Sequence, residues 1–313
     1  MELVVRKTDL LRELQLFQGI VERKNTIPIL ANVLIEAADG EVKLLATDLE
    51  VGLRSRCEAS VSKSGSLTLP AKKLYEIVKA LPETDVRIEE DKTGVKVAAD
   101  RFDSRMQTLP REDFPTLPEA TGTVNATLPR DVLRQMVGKT QFAITGEDTR
   151  YFLNGAQLVL QPDAMSMVAT DGHRLAYVRV QESPGKDAKT EVLLPRKTLN
   201  EIVRLIEGVE SVEFAQGENH LFFRIGGRLL ISRKIDANFP AYERVIPKAN
   251  DKHIDFDRDR LASAIRRVRL LSNERSKAVK FGIAKEQVEI TSSTPDIGEA
   301  HEVLPVDYNG AAM

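Results

Sequence analysis

Residues 69–79 read Leu-Pro-Ala-Lys-Lys-Leu-Tyr-Glu-Ile-Val-Lys, and 125 positions later residues 194–204 read Leu-Pro-Arg-Lys-Thr-Leu-Asn-Glu-Ile-Val-Arg. Phe114-Pro115 returns as Phe239-Pro240 at the same displacement, and Ala46-Thr47-Asp48 returns as Ala169-Thr170-Asp171 at 123. Glu289-Ile290-Thr291 is a weaker third echo. Asp9-Leu10-Leu11, Asp131-Val132-Leu133 and Asp259-Arg260-Leu261 hold matching places at the start of three units. Several matches at a nearly constant offset mean a duplicated module, and this bounds every later reading. The units are read as 1–122, 123–249 and 250–313, the third being only about half a copy.

Within a unit, alternation at Val42, Leu44 and Ala46, at Val86 and Ile88, and at Val95 and Val97 predicts half-buried antiparallel strands. Asp39-Gly40 and Thr93-Gly94 are read as tight turns between them. Leu74, Ile77, Val78 and Leu81 fall at helical spacing, with Pro70 as a first-turn residue, and Leu199, Ile202, Val203 and Ile206 repeat that stripe. Segments 8–18, 130–138 and 259–269 are read as the opening helices. Each unit is then a small α+β domain with helices on one face of an antiparallel sheet, and 114–118 and 239–247 are the closing links.

Composition removes several classes. In 313 residues, 42% are hydrophobic and 29% charged, which suits a packed globular protein and not a disordered one. No apolar run reaches the roughly 18 residues of a membrane span, and the N-terminus is too charged for a signal peptide. With one cysteine, Cys57, no intrachain disulfide forms, and a cytoplasmic location is expected. Four scattered histidines give no local metal motif. A formal charge of −2 excludes a protein that grips nucleic acid by bulk charge, so any basic surface is local.

Such a surface falls on the helices. Segments 70–80, 129–139, 195–205, 258–269 and 8–18 together carry a net +9, which leaves −11 for the rest of the chain. Lys72, Lys73 and Lys79 oppose the apolar stripe of their helix; Arg196, Lys197 and Arg204 repeat the relation, and Arg266 and Arg267 oppose Leu261, Ile265 and Val268. Solvated helix faces are the commonest origin of such charges, but the same sign on equivalent helices points to a surface facing phosphate. Without interleaved aromatics or a recognition helix, contact is expected to be with the backbone and blind to sequence.

The stretches Asn25-Thr26-Ile27-Pro28-Ile29-Leu30-Ala31-Asn32, Ala46 to Glu50, Arg150 to Gly155, Ala169 to Ala176, Phe239 to Pro247 and Leu271-Ser272-Asn273-Glu274 carry a resemblance. The sequence resembles the bacterial DNA polymerase III beta subunit, the sliding clamp, along essentially its whole length. The resemblance implies tandem clamp domains with antiparallel sheets outside and helices lining a central channel, closed head to tail into a homodimeric ring around duplex DNA. It implies a processivity factor that tethers the replicative polymerase and clamp-loader subunits, with no catalysis and no cofactor.

The same resemblance implies three sets of residues. Arg23, Lys24 and Tyr151 match family places that touch DNA, and with the basic helix residues read from the charge pattern, Lys72, Lys73, Lys79, Arg134, Arg196, Lys197, Arg204, Arg266 and Arg267, they would face DNA. Leu153, Thr170, Gly172, His173, Arg174, Leu175, Pro240, Arg244 and Val245 would form a pocket for partner peptides, with apolar wall from the leucines, Pro240 and Val245 and hydrogen bonds from the arginines. Arg105 and Met106 would meet Leu270, Leu271 and Glu299 or Glu302 of a second copy, continuing the sheet and pairing charge across the junction.

Family members continue where this sequence stops at Asn309-Gly310-Ala311-Ala312-Met313. An incomplete third domain is therefore expected, read as a gene fragment or unfinished reading frame, with weakened dimerisation and one pocket wall missing. Two other classes stay open. One is a non-ring DNA-binding or scaffold protein built from duplicated domains; the other is a hydrolase using Asp171 and His173, although no nucleophile motif accompanies them.

Overall fold

The structure, a computed structural model, describes residues 1–21, 26–120, 125–146, 149–185 and 189–313. It divides into two compact bodies, Met1–Phe239 and Pro240–Met313.

In the first body, repeat one runs β1 (Glu2–Arg6), α1 (Lys7–Phe17), β2 (Asn32–Ala38), β3 (Glu41–Thr47), β4 (Val51–Glu58), β5 (Ser60–Lys63), β6 (Gly65–Pro70), α2 (Ala71–Ala80), β7 (Asp85–Asp91), β8 (Gly94–Ala99) and β9 (Phe102–Met106). Repeat two runs β10 (Ala126–Pro129), α3 (Arg130–Thr140), β11 (Gly155–Leu160), β12 (Met165–Thr170), β13 (Leu175–Val180), β14 (Thr190–Pro195), α4 (Arg196–Leu205), β15 (Ser211–Gln216), β16 (His220–Ile225) and β17 (Arg228–Arg233).

A second duplication lies inside each repeat: a strand, a helix and three strands occur twice. The strand before each helix joins the sheet of the other half. Thus β1 pairs with β7 while β6 pairs with β2, and β10 pairs with β15 while β14 pairs with β11. This corrects the expectation of one sheet per unit. Helices lie against two sheets, because each half lends its first strand to the other.

The sheets also cross the repeat boundary. Strand β17 pairs antiparallel with β4, Leu230 opposite Leu53, which fuses half of each repeat into one sheet ordered β10-β15-β16-β17-β4-β3-β2-β6. A five-stranded sheet (β5-β1-β7-β8-β9) and a four-stranded sheet (β13-β12-β11-β14) hold the remaining strands.

The helices form because their apolar residues fall on one stripe. Leu74 and Val78 of α2, and Leu199, Ile202 and Leu205 of α4, enter a core that runs continuously through both repeats. Each such burial contributes about 1.5–3 kcal/mol. Leu-Pro precedes α2, α3 and α4 alike. Pro70, Pro129 and Pro195 close a strand and cap the helix with φ of −56°, −59° and −58°. Pro70 therefore precedes the helix and is not its first-turn residue.

The opposite face of the eight-stranded sheet carries its own apolar cluster. Phe114 and Leu117 of the link lie over Leu34, Leu45, Phe222 and Ile231. Asp39 and Gly40 turn the β2–β3 hairpin with φ of 53° and 80°. The β7–β8 turn is Lys92-Thr93, since Asp91 pairs with Gly94. Gly94 is needed for another reason: a Cβ there would lie 2.8 Å from the Met106 carbonyl oxygen.

The second body holds α5 (Arg258–Val268) and the sheet β18 (Lys280–Ala284), β19 (Gln287–Thr294) and β20 (Gly298–Pro305). Ala264 and Val268 of α5 pack on Val288, Ile290 and Leu304. Asp257 caps this helix, its Oδ1 accepting from the Arg260 amide at 2.8 Å.

Candidate functional site

The four α-helices among the described residues of the first body stand side by side. Helix α1 packs on α2, α3 on α4, and the Arg204 guanidinium of α4 donates to the Gln15 carbonyl of α1 at 3.3 Å. With apolar stripes turned to the core, the basic residues are left on exposed surface.

Their surroundings differ. Lys72 and Lys73 both reach Glu76, at 3.8 and 2.7 Å, and Lys79 stands over the Tyr75 ring with 5.6 Å to its centroid. Arg134 meets Glu207 at 2.7 Å. Arg196 is exposed and has no ion pair among the described residues, and the same holds for Lys139 on α3, which the sequence reading did not single out. Its place at the end of α3 beside an apolar stripe was the available signal. Tyr151 is exposed at the start of a short turn. Arg23 and Lys24 lie outside the described residues.

Two of the expected DNA-facing residues bind the repeats together. Lys197 pairs with Asp48 and donates to the Ile20 carbonyl at 3.3 Å, while Arg204, paired with Glu201 of its own helix at 2.8 Å, reaches the Gln15 carbonyl of repeat one. Burial pushes the Glu201 carboxyl up, with Arg204 and Lys197 opposing. In the second body Arg266 is exposed without an ion pair among the described residues, whereas Arg267 is held by Glu302, Nε to Oε2 at 2.9 Å.

The β12–β13 turn gathers five expected pocket residues. Thr170 Oγ1 donates to the Arg174 carbonyl at 2.7 Å and accepts the Gly172 amide at 3.1 Å. Asp171 Oδ1 accepts the amides of His173 and Arg174, each at 2.9 Å, and its Oδ2 accepts from Arg174 Nε at 3.0 Å. Those bonds from Arg174 and His173 hold the Asp171 carboxyl below its ordinary range. Arg174 also donates to the Phe142 carbonyl at 2.7 Å and lies over that exposed ring. Gly172 has φ of +86°, which favours glycine. Leu153 is buried and Leu175 half-buried. Pro240, Arg244 and Val245 are exposed at the start of the second body, Val245 at 69%.

Asp171 thus binds the backbone of His173, not its ring. The hydrolase reading has no geometry behind it here: the carboxylate is spent on a turn. Repeat one builds the same turn, with Asp48 Oδ1 accepting the amides of Glu50 and Val51 at 2.9 and 2.6 Å and Thr47 in the place of Thr170. The recurrent Ala-Thr-Asp is a hairpin device. Among the described residues no three metal-ligating side chains cluster, and no helix is long and apolar enough to cross a membrane.

Of the expected junction residues, Arg105 donates to Asp91 at 3.0 Å and Met106 is buried at the end of β9. Leu270 is 74% exposed after α5, and Leu271 is half-buried. Glu299 has no ion pair among the described residues, whereas Glu302 is occupied by Arg267.

Family models of the DNA polymerase III beta subunit match in order: the N-terminal domain at residues 1–118, the central domain at 127–241 and the C-terminal domain at 243–313. The chain belongs to this family. It is 36% identical to the beta sliding clamp of Pseudomonas putida and 35% identical to that of Escherichia coli K12, covering 100% of this chain and 86% of each relative. The crystal structure of the Pseudomonas aeruginosa beta subunit superposes with a TM-score of 0.94 at 34% identity, and a Caulobacter crescentus clamp with 0.94 at 35%; each comparison covers 100% of this chain and 86% of the other. A further Pseudomonas aeruginosa clamp, at TM-score 0.93, was solved bound to griselimycin. The fold is the three-domain sliding clamp, and the family is a non-enzymatic processivity factor.

Proposed function

We propose that this chain acts as a processivity factor in the cytoplasm. It closes head to tail with a second copy around duplex DNA and tethers polymerase and loader subunits. Its domains are taken as 1–122, 123–249 and 250–313. The supporting observation is the β4–β17 pairing. Strand β17 is the last strand of repeat two and β4 the third strand after the first helix of repeat one. Strand β9 is the matching last strand of repeat one, and β20 the matching third strand of the second body. Both are sheet edges. One chain's β9 and another's β20 offer the same type of edges that β17 and β4 already join, and exposed edges are satisfied by such pairing.

Encirclement suits the charge distribution. A ring is held by topology, so phosphate contacts need only be weak, and too many would slow sliding. Lys79, Lys139, Arg196 and Arg266 are the basic side chains best free for phosphate. Lys72, Lys73 and Arg134 contribute with part of their charge balanced by neighbouring glutamates. Lys197, Arg204 and Arg267 are assigned mainly to holding the fold. Leu153, Thr170, Gly172, His173, Arg174 and Leu175 are assigned to partner peptides, and the resemblance gives Pro240, Arg244 and Val245 the same role.

The test is retention on DNA. Protein loaded by a clamp loader onto nicked circular DNA should survive gel filtration in high salt and be released when the circle is cut. Retention that ignores linearisation would instead favour the non-ring DNA-binding protein.

A further inference from the structure

A basic cavity of about 300 Å³ lies at the end of the β4–β17 seam. Five cationic side chains line it: Lys43, Arg54, Arg56, Arg224 and Arg228. The seam's ladder ends at Leu229 opposite Arg54, while β4 continues to Glu58. The cavity forms where one strand outruns the other.

No carboxylate among the described residues lines it. Glu119 takes Arg54 through two bonds of 2.9 Å, Glu13 takes Arg228 at 2.7 and 2.8 Å, and Glu41 is shared by Lys43 and Arg56, each at 3.4 Å. Arg224 is exposed and has no ion pair among the described residues. Five cations against three carboxylates, one of which (Glu13) also serves Arg12, leave an excess of positive charge around one cavity. Ser55 also belongs to the lining, but its side chain is on the core face of β4 with Leu53 and Cys57, and its buried Oγ has no hydrogen-bond partner among the described residues.

The cluster is not something the duplicated fold requires. At the equivalent places of repeat two, Lys43 and Arg54 become Ser166 and Tyr177. On the hairpin matching β16–β17 in repeat one, Arg224 and Arg228 become Ala98 and Phe102. Gly226 and Gly227 form the adjoining turn, and a Cβ at Gly227 would meet nothing within 4 Å, so the rim is open.

We propose that this cavity binds the dianionic phosphate group of a small molecule, either free phosphate or a nucleoside monophosphate. Planar guanidiniums and an ammonium around a compact hollow match phosphate oxygens, and charge-assisted bonds of this type are the strong ones. A dianion suits this positive excess, and the volume is at the small end of the range for ligand sites.

The experiment uses the full chain at pH 8 and constant ionic strength, titrated calorimetrically with inorganic phosphate and, separately, with a nucleoside monophosphate. Saturable binding of one equivalent of either is expected, and the tighter of the two identifies the source. Lys43→Ala with Arg224→Ala should weaken it at least tenfold, and so should Gly227→Glu, which adds a carboxylate at an open rim; urea midpoints should stay unchanged in both. Absence of saturation, or affinity unchanged in both variants (an adventitious ion only, elsewhere on the surface), would overturn the assignment. A short duplex DNA that displaces the phosphate and is itself weakened tenfold by the same variants would overturn it too, by making the cavity a DNA contact. None of these readouts depends on ring closure.

Discussion

Glu13 of α1 and Arg228 of β17 form a two-pronged ion pair, 2.8 and 2.7 Å, across the boundary between repeats, with the Glu13 side chain only 3% exposed. Burial alone would raise the Glu13 carboxyl, but hydrogen bonds from Arg228 and Arg12 outweigh it and hold the group below its ordinary range. Its stabilising effect is therefore present above the unfolded-state pKa and lost as pH falls through the lower folded-state value. Arg228→Ala leaves a buried carboxylate with Arg12 alone and should cost about 3 kcal/mol at pH 7, the low end for a broken buried pair. Protonation relieves the orphaned charge in the variant, so the gap between the two urea midpoints should narrow as pH falls and close only once the parent's own lowered Glu13 carboxyl is protonated. A pH-independent gap would mean that packing, not charge, is what Arg228 supplies.

Phe114 offers a separate test of how the repeats are joined. It is 7% exposed and lies in a cluster with Leu34 and Leu45 from one repeat and Phe222 and Ile231 from the other. Leu117 sits so close that a Cβ on Gly52 would be 2.9 Å from its Cδ2. Phe114→Ala should cost about 3–5 kcal/mol, the usual range for such truncations. Chemical denaturation should show repeats one and two unfolding in one transition in the parent.

Much of this was readable in advance, for physical reasons that can be named. The helices showed because Leu74 and Val78, or Leu199 and Ile202, must fall on one stripe to be buried. The units showed because Leu69-Pro70 and Leu194-Pro195 solve the same strand-to-helix transition. The inner duplication was harder to see: in repeat two its halves share little beyond Leu-Pro, at Leu128-Pro129 and Leu194-Pro195, and in repeat one Val5-Arg6 stands before the first helix instead. Sheet exchange was invisible: whether β6 joins its own half or the other depends on long-range pairing that no local pattern encodes. The charges were legible in sign but not in employment. Nothing near Lys197 in sequence announces Asp48, which lies 149 positions away.

The proposed ring closure is assigned to different residues. Leu270 is 74% exposed beside half-buried Leu271, a pattern that suits cover by a second copy. Leu270→Ala with Leu271→Ala should shift the sedimentation mass from dimer to monomer. Arg105→Glu should weaken the dimer less, because exposed ion pairs contribute about 1 kcal/mol or less. An unchanged dimer mass in the double variant would reject the assignment.

Lys79 and Arg196 carry charge without a carboxylate partner among the described residues. If both touch phosphate, Lys79→Ala with Arg196→Ala should reduce the slope of log affinity against log salt by about 2 on linear duplex, near 0.9 per lost contact. Topological retention on a nicked circle should be nearly unaffected. An unchanged slope would place both side chains away from the backbone.

The β12–β13 turn supplies the last prediction. Asp48 and Asp171 build the same hairpin, but the Asp48 carboxylate is also bound by Lys197 at the repeat junction, whereas Asp171 holds the neighbouring Arg174. One copy of the device is spent on assembly and the other orders an exposed surface. Asp171→Ala removes both amide acceptors and frees Arg174, yet it buries nothing new, so the urea midpoint should move little. Affinity for a short partner peptide with apolar anchors should fall about tenfold, equivalent to about 1.4 kcal/mol of lost pre-organisation. Asp171 is held below the ordinary carboxylate range by the amides of Arg174 and His173. Protonation therefore reaches it only below the ordinary carboxylate range, and its contribution to peptide binding should stay level from neutral pH down through that range before failing. Fluorescence anisotropy of a labelled peptide against parent and Asp171→Ala measures both effects, and equal affinities would show that the ordered turn does not hold the peptide.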